Sequence, residues 1–196
     1  NTNCLKTISN KDDYIDNNAQ ITVLETNGLK QEIKDVYMNK LLYGTNKKIT
    51  LEMFTLEDPD IINALICAKL RGVDVKVLLC SNEFALGVPN KVSAIKLYEY
   101  QIPVRIYNTN KKEHELMHSK VCVFDDEYSM IGSCNLTKGS LEYYHETNVL
   151  VKSKDLNKSL ENQILKDWEN AKPYEPPSIY MRGFYENIKK ITDIFS

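Results

Sequence analysis

The chain has 196 residues, a formal net charge of −2 and 42% hydrophobic residues, which is enough for one domain with a substantial core. This balance excludes a strongly basic nucleic-acid-binding surface over the chain as a whole, but it leaves room for a local basic patch. No apolar run approaches the roughly 20 residues that span a bilayer. The sequence shows no signal-peptide pattern, and because it does not begin with methionine this says little about compartment.

The five cysteines are odd in number and show no C-x-x-C spacing. We therefore predict buried free thiols, which mildly favours a reducing, cytoplasmic compartment for a soluble chain. Neither a disulfide framework nor a structural zinc site is expected. The cysteines are Cys4, Cys67, Cys80, Cys122 and Cys134.

Three segments differ in composition. Residues 1–20 are polar and predict an arm with little core of its own. Residues 21–172 carry the periodic apolar patterns of a folded domain, beginning with the strand pattern Ile21–Thr26. Residues 173–196 predict a proline-containing linker and a last helix that packs on the domain.

A strand, a helix and a second strand follow one another in the first half of the domain. Ile49–Phe54 alternates as a strand, and Asp58-Pro59 is a typical helix start, with a capping carboxylate before a first-turn proline. Gly72 stands where a glycine ends many helices, and Val73–Cys80 has the apolar composition of a buried strand. Such a βαβ unit predicts that part of the sheet is parallel.

The rest of the domain continues this pattern. We predict an α/β fold with a mixed, partly parallel sheet that is flanked by helices on both faces. The further predicted elements are a helix near Leu29–Leu41, a helix over Lys91–Tyr100, strands over Pro103–Tyr107, Lys120–Asp125, Tyr128–Ile131 and Glu146–Val151, and a helix over Lys154–Asn170.

The stretch Met117–Asn148 concentrates the polar residues with chemical potential. Side chains alternate along a strand, so Lys120 shares a face with Cys122 and Phe124, and His118 joins that face if the strand extends back. Asp125 lies on the other face. His118 and Lys120 can therefore converge on one ligand, whereas Asp125 cannot easily do so.

The next two strands carry the remaining polar residues of this stretch. A turn at Gly132-Ser133 places Ser133 and Asn135 at a strand end, where glycine allows tight backbone geometry. The third strand places Glu146 and Asn148 on one face. Lysine and asparagine bind phosphate oxygens, and a neutral histidine acts as a nucleophile or base. These residue types favour metal-free displacement at a phosphodiester through a phosphohistidine, with no cofactor and no catalytic metal.

The spacing His118-x-Lys120-x₄-Asp125-x₆-Gly132-Ser133-x-Asn135, with Glu146 downstream, resembles the motif of the phospholipase D superfamily. The resemblance extends more weakly from Ile49 to Trp168. It implies a phospholipase D-like α/β/α sandwich and a phosphodiesterase of the hydrolase class.

The resemblance also implies a role for each matched residue. His118 attacks phosphorus, Lys120 and Asn135 hold the non-bridging oxygens, and Glu146 orients His118. Ser133 supports the phosphate or the turn. The supporting residues are Asp125, as a structural hydrogen-bond acceptor, together with Gly132 and Asn148.

The leaving oxygen needs an acid, which in this family is the histidine of a second motif. The chain has three histidines, and neither His114 nor His145 lies in a second H-x-K spacing. We expect a homodimer with the active site at its two-fold axis, so that a second His118 is the acid. The alternative is that this chain is half of a longer two-motif protein.

Two substrate classes remain open. The chain resembles the small dimeric bacterial endonucleases and the Zucchini-type nucleases, because Asn135-Leu136-Thr137 follows the glycine-serine turn. Phosphate contacts are expected from Lys111, Lys112 and Lys138, and also from Arg105. The alternative is a phospholipase D or phosphatidyltransferase acting on phospholipid head groups, against which stands the lack of an evident hydrophobic loop. A third reading is a polyanion-binding scaffold with a residual site.

Overall fold

The computed structural model describes residues 18–81, 88–108 and 116–178, together with Gly183, Tyr185, Asn187 and Lys190. The predicted arm, Lys111, Lys112, His114 and nearly all of the predicted last helix lie outside the described residues. Helices are α1 (Glu32–Asn39), α2 (Pro59–Leu70), α3 (Val88–Glu99), α4 (Lys138–Glu142) and α5 (Lys154–Asn170), and a π-helical turn, Lys40–Gly44, extends α1.

A single eight-stranded sheet runs through the described part of the chain in the order β1-β7-β6-β5-β2-β3-β4-β8. The pairs β2–β3 and β3–β4 are parallel, and all other neighbours are antiparallel. This mixed sheet confirms the predicted fold class. The strands are β1 (Gln20–Thr26), β2 (Lys48–Met53), β3 (Asp74–Cys80), β4 (Val104–Tyr107), β5 (Lys120–Phe124), β6 (Tyr128–Gly132), β7 (Glu146–Lys152) and β8 (Lys172–Pro173).

The βαβ unit forms as its sequence pattern predicts. The Asp58 carboxylate accepts hydrogen bonds from the backbone N–H groups of Asp60 and Ile61, which satisfies two donors at the start of α2. Gly72 follows the helix with φ +92°, the left-handed conformation that glycine adopts without strain. The parallel strands β2 and β3 therefore both end at the same edge of the sheet.

The two faces of the sheet are covered by different helices. Tyr37 of α1 packs its ring edge against Phe124 of β5, with 6.1 Å between the ring centroids, so α1 covers the face that carries Lys120 and Cys122. On the opposite face, Glu161 of α5 accepts a hydrogen bond from Thr50 of β2. The helices thus flank the sheet on both sides and bury its central strands.

The cysteines only partly follow the prediction. Cys80, Cys122 and Cys134 are buried free thiols, but Cys67 on α2 is exposed. The π-helical turn, the short helix α4 and the two-residue strand β8 were not predicted, because each is too short to show a period in the sequence.

Candidate active site

The sheet register brings the predicted catalytic residues to one edge. Lys120 opens β5 and pairs with Met53, the last residue of β2. Gly132 ends β6 opposite Asn148, and Glu146 opens β7 opposite Thr26. The side chains of Lys120, Glu146 and Asn148 share the sheet face that the alternation predicted, and His118 precedes Lys120 by two residues at this edge.

His118 and Lys120 form the centre of the site. The Lys120 ammonium lies 3.2 Å from Nδ1 and 3.4 Å from Nε2 of His118, and it donates a hydrogen bond of 2.9 Å to the His118 carbonyl oxygen. The Lys120 side chain is buried, whereas His118 is exposed. An exposed imidazole above a buried ammonium is placed to meet an anion that arrives from solvent.

Phe54 supports this pair from below. Its ring lies 4.4 Å from the His118 ring, centroid to centroid, and 5.0 Å from the Lys120 ammonium. The backbone N–H of Phe54 donates a 2.8 Å hydrogen bond to the carbonyl oxygen of Ser119, which ties the end of β2 to the start of β5. The imidazole is therefore held by an aromatic ring and by backbone pairing. Phe54 was not singled out in the sequence, where its only signal was its place at the end of an alternating strand.

Electrostatics favour a neutral histidine. Partial desolvation and the positive charge of Lys120 both lower the pKa of His118 from its ordinary value. Burial lowers the pKa of Lys120 as well, and it is opposed by the negative charge of Glu146. At neutral pH the imidazole is unprotonated and carries the lone pair that a nucleophile needs.

The turn between β6 and α4 depends on a close approach of two strands. A Cβ at Gly132 would lie 2.1 Å from Oδ1 of Asn148 and 2.4 Å from the carbonyl oxygen of Thr147. Asn148 is buried, and its Oδ1 accepts a hydrogen bond from the backbone N–H of Cys134. Glycine is thus required by packing, since its φ is not in the left-handed region.

Ser133 and Glu146 are joined directly. The Ser133 hydroxyl donates to the Glu146 carboxylate and accepts a 3.2 Å hydrogen bond from the backbone N–H of Thr147. No hydrogen bond between Glu146 and His118 of the same chain occurs among the described residues. The negative charge of Glu146 acts on Lys120, whose pKa it raises against the effect of burial.

Asn135 lies on the turn and is half-buried, with its Oδ1 buried and without a hydrogen-bond partner. The residues that follow it have structural roles. Leu136 is buried and bridges to Leu56, and Thr137 caps α4 by accepting a hydrogen bond from the N–H of Ser140. Burial raises the pKa of the Cys134 thiol, directly before Asn135, to about 12. The Asn135-Leu136-Thr137 run is therefore explained by the turn itself and does not discriminate between substrates.

Asp125 lies at the other end of β5. Its carboxylate accepts hydrogen bonds from the backbone N–H groups of Asn46, Lys47 and Lys48, at 2.9, 2.7 and 2.9 Å. Partial burial opposes its ionisation, but these hydrogen bonds outweigh it and lower its pKa. The separation of Asp125 from His118 and Lys120 agrees with the strand-face argument.

Lys138 and Arg105, two of the predicted phosphate contacts, differ in their surroundings. Lys138 is exposed at the start of α4, three residues after Asn135. Arg105 is not available to a substrate at this edge, because its guanidinium donates to the carbonyl oxygen of Trp168 at 2.7 Å and lies over the indole ring. The prediction for Arg105 was wrong because α5, which engages it, folds over its face of the sheet. In the described part of the chain, no cluster of three or more histidine, cysteine or acidic residues is arranged to hold a metal ion.

A family model of known proteins, described as "Cardiolipin synthase, PLD-like domain", matches residues 38–168. The chain therefore belongs to the phospholipase D superfamily, as its motif indicated. The matched range includes every predicted catalytic residue, and the superfamily is one of phosphodiesterase-type enzymes.

Curated relatives align over a fraction of their length. The chain is 27% identical over 143 residues to cardiolipin synthase A of Pseudomonas putida, covering 72% of this chain and 29% of that protein. It is 26% identical over 159 residues to cardiolipin synthase of Clostridium perfringens strain SM101, covering 76% of this chain and 31% of that protein. The chain thus matches less than a third of the length of these relatives.

Solved structures share the fold. The phospholipase D family member Nuc from Salmonella typhimurium superposes with a TM-score of 0.70 at 22% identity, covering 80% of this chain and 99% of Nuc. NucT from Helicobacter pylori gives 0.67 at 15% identity, with the same coverage. Phosphatidylserine synthase from Haemophilus influenzae gives 0.65 at 14% identity, covering 90% of this chain and 46% of the synthase. At these identities the similarity establishes the fold.

Proposed function

We propose that the chain hydrolyses phosphodiester bonds of nucleic acid through a phosphohistidine intermediate on His118. The observation that carries the proposal is the pairing of an exposed imidazole of lowered pKa with a buried ammonium about 3 Å away. A neutral imidazole carries a lone pair on one ring nitrogen, which can attack phosphorus, and the ammonium stabilises negative charge on the phosphoryl oxygens as the transition state forms.

The proposed reaction has two steps. In the first, a ring nitrogen of His118 forms a bond to phosphorus, the bond from phosphorus to the leaving oxygen breaks, and that oxygen takes a proton from an acid. In the second, water attacks phosphorus and gives its proton to the group that served as the acid, the phosphorus–nitrogen bond breaks, and His118 is regenerated with release of a phosphate monoester. Lys120 and Asn135 bind the non-bridging oxygens in both steps.

Glu146 and Ser133 support this centre. Glu146 is held by the Ser133 hydroxyl, and its charge keeps Lys120 protonated against the effect of burial. Gly132, Asn148 and Asp125 support the strands that carry the reacting groups. We also propose that a Glu146 carboxylate orients the imidazole of His118.

The acid in the first step comes from a second site. We infer that two copies of the chain form a homodimer that brings two His118 side chains together, one as nucleophile and one as acid. His118 is exposed at the sheet edge, which leaves room for a second imidazole. Size-exclusion chromatography with light scattering tests the inference, and a monomer with full activity would contradict it.

The choice of nucleic acid rests on the surroundings of His118. The reacting edge is open and polar, since His118, Ser133 and Lys138 are all exposed there, and an extended polyanion can reach it without leaving water. Lys111 and Lys112 lie a few residues before the motif in the sequence and are proposed as further phosphate contacts. Among the described residues no helix is long and apolar enough to cross a membrane.

A specific observation favours the phospholipid alternative. Leu29, Tyr143 and Tyr144 are 96%, 57% and 55% exposed, and their loops adjoin the end of β1 and the start of β7, where Glu146 lies. These side chains form an exposed apolar surface on two neighbouring loops, and exposed aromatic and aliphatic side chains of this kind enter lipid head-group regions. The cardiolipin synthases among the relatives point the same way.

One panel separates the two functions. The protein, with EDTA present, is incubated with single-stranded DNA, duplex DNA, RNA and vesicles of labelled phosphatidylcholine or cardiolipin, beside the His118→Asn variant. We expect nucleic acid to be cleaved and cleavage to be lost in the variant. Turnover of lipid without cleavage of nucleic acid would establish the alternative, and loss of all activity in EDTA would refute a metal-free mechanism.

A further inference from the structure

A second opening lies at the same edge of the sheet as His118 and Lys120. It is a cavity of about 420 Å³ at the carboxyl ends of β3 and β4, lined among others by Cys80, Asn108, Lys91, Lys172, Tyr174 and Tyr185, and we call it the β3–β4 recess. Its volume lies within the range of small-molecule pockets in proteins, roughly 300–1,000 Å³.

One layer of side chains connects the wall of the recess to His118. Cys80, the last residue of β3, lines the recess and also packs in one cluster with Phe54 and Met117. Phe54 in turn lies against His118. The buried Phe54–Cys80 layer therefore lies between the recess and the imidazole, and a substrate bound at His118 would reach the recess with a neighbouring group by passing over this layer.

Aromatic rings that line the recess are held in place. The Tyr174 backbone N–H donates a 2.9 Å hydrogen bond to the carbonyl oxygen of Val104, and its ring packs edge-on against Tyr98, with 6.0 Å between the centroids. The Lys91 ammonium lies 5.2 Å from the centroid of the Tyr185 ring. Rings fixed in this way present a surface for stacking without a large loss of side-chain entropy.

The charge of the recess suits an anion. Lys91 and Lys172 line it with one carboxylate, that of Glu175. Lys172 makes no ion pair with any of the described residues, and it is exposed on the edge strand β8. By contrast, a larger cavity of about 890 Å³ near Asp125 is lined by four carboxylates and three lysines, and one of these lysines, Lys152, pairs with Glu127 at 3.2 Å.

We propose that the β3–β4 recess binds the nucleotide next to the scissile phosphate, with its base against Tyr174 or Tyr185 and its phosphate at Lys172. A base reaches such a recess only when it is unpaired and unstacked from its neighbour, so the substrate is single-stranded nucleic acid. The inference rests on the proposed nuclease function and adds a subsite and a strand preference to it.

The test compares three substrates of the wild-type protein: a single-stranded DNA oligonucleotide, the same strand in a duplex, and bis(p-nitrophenyl) phosphate, a phosphodiester with no base. We expect the duplex to be cleaved at least about tenfold more slowly than the single strand. An oligonucleotide with an abasic position beside the cleaved bond should show a KM about tenfold higher, the loss of one stacked base. Equal rates on single strand and duplex would overturn the proposal.

Variants of the recess residues test whether the preference for the single strand arises in the recess. Lys172→Gln and Tyr174→Leu should lower the ratio of kcat/KM on the oligonucleotide to kcat/KM on bis(p-nitrophenyl) phosphate about tenfold, whereas the exposed Lys158→Gln of α5 keeps the wild-type ratio. Tyr174→Leu should also abolish the difference between intact and abasic strands. Because the ratio is internal to each preparation, partial unfolding of a variant does not imitate the effect.

The outcomes separate the two proposals. If wild-type protein cleaves the oligonucleotide and the recess variants keep the wild-type ratio, the subsite is wrong and the nuclease stands. If wild-type protein hydrolyses bis(p-nitrophenyl) phosphate and no nucleic acid, the nuclease proposal fails and the subsite with it.

Discussion

The two ends of β5 carry ionisable residues of the same motif and use them differently. At the amino end, Lys120 and His118 face an open edge, and the pKa of each is lowered by desolvation. At the carboxyl end, the Asp125 carboxylate accepts hydrogen bonds from three backbone N–H groups of the chain itself. The comparison separates, along a single strand, the two residues that we propose to react from a carboxylate that holds the backbone, and we call these two ends the reacting part and the structural part.

The reacting end should lose activity without losing stability. Lys120→Met removes a buried charge that burial already disfavours, so we expect the fold to keep or gain stability. We expect kcat to fall by a factor of about 10² to 10³, the typical loss for one transition-state charge contact. Steady-state kinetics and urea denaturation measure both effects, with Lys158→Met on the exposed face of α5 as control. A Lys120→Met variant that keeps more than about a third of the parent kcat would contradict the proposed role of Lys120 in the reaction.

A buried carboxyl near the reacting end sharpens the contrast with Asp125. Glu52 of β2 is 5% exposed, and burial together with the charge of Asp167 raises its pKa to about 7, opposed by a hydrogen bond with Ser119. Between pH 4.5 and pH 7 the folded protein keeps a proton that the unfolded chain has released, so stability falls as pH rises.

Replacing Glu52 should therefore stabilise the protein at high pH. Glu52→Gln mimics the protonated side chain, and we expect it to exceed the parent by up to about 3 kcal/mol at pH 8 and to match it near pH 4.5. Urea denaturation at both pH values measures the difference, with the exposed Glu169→Gln as control. If parent and Glu52 variant show the same pH dependence, Glu52 does not carry a raised pKa.

The structural end should behave in the opposite way. Asp125→Ala leaves three backbone N–H groups without their acceptor, and we expect a loss of about 2 kcal/mol at pH 7 with kcat per folded molecule unchanged. Because the folded-state pKa of Asp125 is lowered, its contribution is present above pH 3.8, its ordinary value, and is lost as pH falls through the folded-state pKa.

Denaturation at pH 7 and pH 3 tests the account of Asp125. The control is Asp74→Ala, which removes a surface ion pair with Lys76 and should cost less than about 1 kcal/mol. A large fall of kcat in the folded Asp125→Ala variant, at unchanged stability, would contradict the structural role and show that Asp125 takes part in the reaction.

The smallest fall of kcat is expected for a change at Ser133, which contacts Glu146 beside the proposed reacting residues. Ser133→Ala removes the hydroxyl that donates to Glu146 and accepts from Thr147, and we expect kcat to fall about tenfold, the value of one hydrogen bond to a charged group. Thermal unfolding should change little, since Ser133 is exposed. An unchanged kcat would show that Glu146 needs no support from Ser133.

The sequence predicted much of this arrangement because strand alternation and helix caps are local. The strand faces of Lys120 and Asn148, the parallel βαβ unit and the capping role of Asp58 all follow from residues close in the chain. Asp125 was separated from the reacting residues by the same alternation.

What the sequence did not predict depends on contacts between distant segments. Phe54 supports His118 because β2 pairs with β5, and Arg105 is engaged by Trp168 because α5 folds over β4. The β3–β4 recess joins the ends of two strands to residues beyond α5. The requirement for Gly132 likewise comes from Asn148 on the neighbouring strand.

The covalent role of His118 is tested most directly by trapping the intermediate. The protein is mixed with a ³²P-labelled single-stranded oligonucleotide, quenched in alkali, where phosphohistidine is stable, and digested for mass spectrometry. The account predicts a label on the peptide that contains His118 and its absence in His118→Asn. Hydrolysis by the His118→Asn variant at the parent rate, or a label on another residue, would contradict it.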